Sequence, residues 1–298
     1  MIGIISPQFA SNRQLRDLAT EIDSEIKWTT NPPDDAYILN ICENADTIIV
    51  GSAKFMHLLD KLPNIKYIAK MGVGTDNLDF QKLNERGIQV FVPPAGINAK
   101  SVAELTIRHI LTLIRKINQT EYFLNEHGKW CKLEGKELSE ITVGIIGYGK
   151  IGYQVSNMIR FLNGNVKAYD INPLIVADVI YVELDDLIET SDVITIHING
   201  EGNDNMVDYN FIKKMKKGAY LVNMSRGNIV NIDDMIRAID EGHLGGAGLD
   251  VYPDEPRIDK RLLKTPFITL SCHQGSSTEK TTLEMGKSVI EGIKKMRH

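Results

Sequence analysis

Three side chains in the second half of the chain are of types that acid–base and anion chemistry need: Arg226, Glu255 and His273. Arg226 follows an apolar run at 220–224, which reads as the carboxyl end of a strand, and parallel α/β sheets place their ligands at those ends. Its planar fork of donors matches a carboxylate. His273 follows a second apolar run at 267–271. An imidazole titrates near neutrality, about 6.5 when unperturbed, and so can give or take a proton during a reaction. Glu255 precedes Pro256 in an Asp-Glu-Pro segment, and a carboxylate beside an imidazole favours and orients the protonated ring.

A second constellation is a glycine loop. The stretch 142–152 ends in Gly147-Tyr148-Gly149-Lys150-Ile151-Gly152, which follows an apolar strand and opens a helical pattern. The match to G-x-G-x-x-G gains weight from Asp170, which closes the next strand about twenty residues on. Gly147 suits a tight turn, Gly149 a close backbone approach to a pyrophosphate, and Gly152 close helix–strand packing. The helix that starts there offers N–H groups and a positive dipole end to phosphates. Asp170 is expected to accept from the adenosine ribose hydroxyls and to repel a 2′-phosphate, which favours NAD over NADP.

These residues need a scaffold of alternating strands and helices, and the chain has that rhythm. Runs rich in Ile and Val at 2–6, 26–30, 47–50, 65–71 and 88–92 predict strands, with helices expected at 12–22, 55–62 and 76–86. Val102, Leu105, Ile110, Leu113, Ile114 and Ile117 fall at helical spacing, and Ser101 with Glu104 fits a capping box, although Asn98 offers an earlier start. Residues 121–138 read as irregular and polar. A second series follows, with strands near 141–146, 166–169, 192–197, 220–224, 247–251 and 267–271, helices near 150–162, 208–217 and 231–241, and a terminal helix over 276–297. Such alternation predicts parallel sheets with right-handed crossovers. The 298 residues suffice for two domains. A net charge of −5 weighs against a general nucleic-acid binder. Three unclustered cysteines leave no disulfide framework or Cys-rich metal site, and no metal is expected. With no signal-like N-terminus and no long apolar span, the expectation is a cytoplasmic protein without membrane contact.

Several blocks together resemble the D-isomer-specific 2-hydroxyacid dehydrogenase family. They are Ser191–His197, Met215–Gly227, Gly246–Pro256, the Met71-Gly72-Val73-Gly74-Thr75-Asp76 loop, and Gly96 to Glu104. The likeness covers nearly the whole chain in order. It implies two doubly wound parallel-sheet α/β domains: a flavodoxin-like substrate domain (1–97 and 276–298) and a Rossmann NAD-binding domain (98–275), with the active site in the cleft between them. It further implies hydride transfer between NAD(H) and C2 of a small D-2-hydroxy acid or 2-keto acid. Arg226 would hold the substrate carboxylate and reacting oxygen, His273 would be the general acid/base, and Glu255 its partner. Asp250 would receive the nicotinamide carboxamide, and Ser225 would join the glycine loop and Asp170 in binding cofactor. Ser52, Ala53, Gly72, Val73, Gly74 and Asn98 would bind substrate. A homodimer through the NAD-binding domain is implied, with 98–138 as the candidate interface. The remaining histidines read as structural or surface groups.

Two departures stand out. The family often has Pro before the catalytic histidine and Ile-Gly-Gly-Ala-Thr after it, whereas this chain has Cys272-His273-Gln274-Gly275-Ser276-Ser277. Gly51-Ser52 stands where phosphoglycerate dehydrogenases often show Arg-Ser, which lowers that substrate among the 2-keto acids. The alternatives are an NAD(H)-sensing regulatory protein on the same scaffold and a dehydrogenase of formate or phosphite; the intact Arg226, Glu255 and His273 favour an enzyme.

Overall fold

A computed structural model describes residues 1–173 and 179–298. It divides into two compact units, Met1–Asn98 with Ser277–His298, and Ala99–Ser276.

In the first unit the strands β1 (Ile2–Ile5), β2 (Ile26–Trp28), β3 (Thr47–Val50), β4 (Tyr67–Lys70) and β5 (Gln89–Phe91) form one parallel sheet in the order β2-β1-β3-β4-β5. That is the flavodoxin-like doubly wound order. β1 and β3 are buried along their whole length, as strands covered on both faces must be, which is why they read as unbroken apolar runs. The covering helices are α1 (Pro7–Ser11), α2 (Arg13–Ile22), α3 (Asp35–Cys42) and α4 (Phe80–Glu85). Asn12 ends α1 and caps α2, its side chain accepting from Leu15 N–H at 3.2 Å, so the single helix expected over 12–22 is preceded by a separate turn of helix. Asp34 caps α3 in the same way through Tyr37 N–H, at 2.9 Å.

The second unit begins with two helices, α5 (Ala99–Ile114) and α6 (Ile117–His127). Its sheet comprises β6 (Thr142–Ile146), β7 (Asn165–Tyr169), β8 (Ile180–Tyr181), β9 (Val193–Ile196), β10 (Tyr220–Asn223), β11 (Gly246–Leu249) and β12 (Ile268–Leu270). All are parallel, in the order β12-β11-β10-β9-β6-β7-β8. The direction of winding reverses between β6 and β9, the switch point where open α/β sheets bind ligands. The helices α7 (Lys150–Phe161), α8 (Leu184–Thr190), α9 (Tyr209–Lys214) and α10 (Ile232–Asp240) complete the unit, and α11 (Glu279–Arg297) packs against α2, β4 and β5 of the first unit.

Four apolar clusters fill the two faces of each sheet. The larger sheet carries α5 on one face, packed on β10, β11, β12 and α7. Ala99, Val102, Ala103, Thr106, His109, Ile110 and Leu113 form its buried stripe. This helix departs from expectation at both ends. Asn98 immediately precedes it, so Ser101 and Glu104 lie within the helix and no capping box forms there; Ser101 is buried instead. At the other end Lys116 turns into the left-handed region (φ 53°) and separates Ile117 from the stripe. The expected irregular stretch after 121 begins with the rest of α6. That helix buries no residue, so it has no apolar periodicity to read. Among the described residues no helix is long and apolar enough to cross a membrane.

Candidate active site

The site is built at the carboxyl ends of β10, β11 and β12. Arg226 follows β10, and its Nη1 donates to Ser225 O at 2.8 Å. Asp250 follows β11 and His273 follows β12. Glu255 arrives on the loop after β11, where Oε1 accepts from Tyr252 N–H at 3.0 Å. Its Oε2 lies 2.8 Å from His273 Nδ1. The carboxylate therefore accepts from Nδ1–H, which leaves Nε2 outside this bond.

The electrostatics of this pair are mutual. For His273 the Glu255 hydrogen bond raises the pKa; burial opposes it, the charges of Glu255 and Asp250 reinforce it, and Arg226 opposes it, with a net rise. For Glu255 burial works against the charged form. The bond to His273, the imidazolium charge, the Tyr252 N–H and the Arg226 charge outweigh it and hold the carboxyl below its usual range. Arg226 thus lies close enough for its charge to act on both partners.

Asp250 has more structural work than its expected role suggests. It is 2% exposed, and Oδ1 accepts from the Ser271 hydroxyl (2.6 Å) and Gln274 N–H (2.7 Å) while Oδ2 accepts from Gly275 N–H (2.9 Å). Its own carbonyl accepts from His273 N–H at 2.7 Å. Ser225, expected at the cofactor, is buried with its hydroxyl on Ile196 O at 2.7 Å.

At the switch point the glycine loop has the shape a dinucleotide needs. Gly147 adopts φ +91°, and a Cβ there would fall 2.6 Å from His197 O. A Cβ on Gly152 would fall 2.3 Å from Gly147 O, so α7 meets the loop more closely than any side chain permits. Gly149 is the reverse: a Cβ there meets nothing within 4 Å, which leaves the backbone open to a phosphate. Gly149 is also the N-cap of α7 and no side chain caps the helix, so its first turn is available to an anion. Asp170 accepts from Tyr148 N–H at 2.7 Å and from Asn172 N–H at 2.8 Å, which fixes the acid beside the loop. The Tyr148 ring is buried and packs edge-on against Tyr153 and Tyr181; Lys150 is exposed and Ile151 half-buried at the start of α7.

In the first unit, Ser52 and Ala53 follow β3 and the Gly72–Val73–Gly74 loop follows β4, at adjacent strand ends. The two loops are tied by side chains that pattern reading missed. Lys70 donates to Gly51 O, and Asn77 Nδ2 donates to Gly51 O (3.1 Å) and Ala53 O (2.8 Å). Lys70 is 4% exposed, and a lone cation ending an otherwise apolar strand was the available signal. Asn98 is half-buried at the start of α5.

Comparison with known proteins agrees with this geometry. A family model described as "D-isomer specific 2-hydroxyacid dehydrogenase, NAD binding domain" matches residues 107–275. The chain is 34% identical over 278 residues to the hydroxypyruvate reductase of Thermotoga maritima, covering 90% of each. It is also 34% identical over 275 residues to the D-3-phosphoglycerate dehydrogenase of Archaeoglobus fulgidus, covering 89% of this chain and 50% of that protein. The structure matches the D-lactate dehydrogenase of Aquifex aeolicus solved with NAD and lactic acid, at a TM-score of 0.83 and 26% identity over 98% of this chain and 94% of that one. The chain therefore belongs to the D-isomer-specific 2-hydroxyacid dehydrogenases, oxidoreductases that pass a hydride between NAD(H) and C2 of a small 2-hydroxy acid.

Proposed function

We propose that this chain reduces a short, unphosphorylated 2-keto acid, with His273 as proton donor. The observation that carries the reading is the His273–Glu255 pair at 2.8 Å with Arg226 acting on both. A nicotinamide dinucleotide held by the glycine loop and Asp170 would supply the hydride for substrate C2. Arg226 holds the substrate carboxylate and stabilises negative charge as it develops on the 2-oxygen. His273 Nε2 delivers the proton that completes the hydroxyl, while Glu255 holds the ring by Nδ1 and stabilises its charged form. In the oxidation direction the same nitrogen takes the proton back. Ser52, Ala53, the amides of Gly72, Val73 and Gly74, and Asn98 complete substrate binding. Gly147, Tyr148, Gly149, Lys150, Ile151 and Gly152 with Asp170, Ser225 and Asp250 serve the cofactor, and the Asp170 carboxylate favours NAD over NADP. Gly51 in place of an arginine beside Ser52 supports a substrate without phosphate. The working assembly is a homodimer through the second unit, and the compartment is the cytoplasm.

The test is an NADH-oxidation screen over glyoxylate, pyruvate, hydroxypyruvate and phosphohydroxypyruvate, repeated with NADPH. Turnover is expected with the unphosphorylated acids and NADH. His273→Ala should lower kcat by roughly 10²–10⁴ while leaving NADH binding in place. Tight NADH binding with no turnover on any acid would replace this reading with that of a nucleotide sensor.

A further inference from the structure

We propose that His109, on α5, is a positioning residue for the reaction: through Ser271 it holds the Asp250 carboxylate that takes the two backbone amides just after His273. The proposal rests on the reading of His273 as proton donor.

The connection is a chain of hydrogen bonds with one allowed direction. His109 is fully buried, with Nδ1 3.2 Å from Arg108 Nη1 and Nε2 2.9 Å from Ser271 Oγ. A guanidinium can only donate, so Nδ1 accepts and the ring proton sits on Nε2. Nε2–H then donates to Ser271 Oγ, and the Ser271 hydroxyl donates in turn to Asp250 Oδ1 at 2.6 Å. Burial, with the Arg108 charge added, lowers the His109 pKa to about 3, so the ring stays neutral and keeps this tautomer wherever the enzyme works. Arg108 is itself anchored on Thr269 Oγ1 at 2.7 Å. The His109 side chain lies over Gly248 of β11, where a Cβ would come 3.0 Å from His109 Cβ and 3.1–3.2 Å from the ring, so the glycine two residues before Asp250 makes room for it.

Asp250 passes the constraint to the loop. It takes Gln274 N–H on Oδ1, Gly275 N–H on Oδ2 and His273 N–H on its carbonyl. His273 is held at φ 51°, a left-handed conformation that a non-glycine residue leaves unless its surroundings enforce it. The Tyr252 hydroxyl adds a hold on Ser271 O at 2.8 Å. His109 has no route to the substrate, being enclosed between α5 and the sheet, and it acts on the reaction only by fixing where Nε2 of His273 points.

The experiment compares Ser271→Ala, His109→Leu and the double variant with His109→Gln, whose amide N–H can still donate to Ser271. Ser271 is half-buried and loses only a hydroxyl, so that variant tests the idea even if His109→Leu fails to fold. Ser271→Ala and His109→Leu should each lower kcat roughly ten- to hundredfold, the cost of a misplaced catalytic group. The double variant should be no worse than the single ones, and His109→Gln should recover most of the rate. A second readout needs no turnover. Glu255, Asp250 and Arg226 are the charged groups that act on His273. An NMR titration should show the His273 pKa falling toward about 6.5 in Ser271→Ala as the Glu255 contact loosens. Unchanged kcat together with an unchanged His273 titration would overturn the proposal. Full activity in His273→Ala would instead overturn the assignment of the proton donor, and leave the titration to judge the network alone.

Discussion

At the scale of single residues, His273 as the proposed proton donor makes its pair with Glu255 the group that sets the pH range of the reaction. Keto-acid reduction requires the protonated ring, so its rate is lost as pH rises through the His273 pKa, and the Glu255 contact raises that value. Glu255→Gln keeps an acceptor for Nδ1 but removes the charge. Burial and Arg226, which both lower the His273 pKa, then act without the opposing carboxylate. The alkaline limb of kcat/KM for reduction should move to lower pH, and the limb for alcohol oxidation should move the same way. A limb that keeps its position in the variant would show that some other group titrates in the profile. The placement of Arg226 and His273 at strand ends was legible from type and context, because each follows an apolar run, whereas Asp250 entered only through the family resemblance. The second job of Asp250 was not legible. Three of its partners are a hydroxyl and two backbone amides, and nothing in the side-chain sequence records where the backbone amides of Gln274 and Gly275 point.

At the scale of elements, legibility followed burial. Strands covered on both faces, such as β3, β6 and β9, read directly as Ile and Val runs, and the glycine loop with α7 read from its spacing. Among the described residues four helices escaped. α1 has five residues, α3 is short, α8 has only seven residues, and α6 buries none, so each lacks the long apolar stripe that periodicity detects. For α6 that failure is informative. A helix with no buried residue is held by little within its own chain, yet Ile117 and Leu124 on it are 41% and 54% exposed, and Trp130 just beyond Gly128 is 87% exposed. The proposed homodimer through the second unit would cover these side chains. Leu124→Asp should shift the protein from dimer toward monomer in sedimentation velocity, and Trp130→Asp should do the same. A wild type that sediments as a monomer at micromolar concentration would remove the dimer from the account.

At the scale of the whole molecule, the titrating histidines pull stability in opposite directions. His109 and His197 have pKa values lowered to about 3, the first by burial and Arg108, the second by burial. In the unfolded chain each would protonate near 6.5, so between about 3 and 6.5 the unfolded state binds more protons and folding weakens as pH falls. The slope reaches up to about 1.4 kcal/mol per pH unit for each ring. His273 has the reverse sign. Its raised folded pKa gives a contribution that is fully present below about 6.5 and is lost as pH climbs through the folded value, and its half-exposed ring keeps that contribution small. Carboxylates held below their ordinary values, such as Asp192 and Glu255, lose their contribution only at lower pH, so the window from 6.5 to 5 isolates the buried histidines. Melting temperature should therefore change little from pH 8 to 6.5 and drop steeply from 6.5 to 5, and replacing His197 by Asn should flatten the acid side. A Tm that holds steady down to pH 5 would mean that these rings accept protons in the folded state, and neither could then keep the single neutral tautomer that the path from His109 to Asp250 requires. Acid conditions that favour the charged form of His273 thus weaken folding of the unit that carries it, and with His273 as the proposed proton donor, reduction would be confined to pH values between the unfolding of the second unit and the deprotonation of His273.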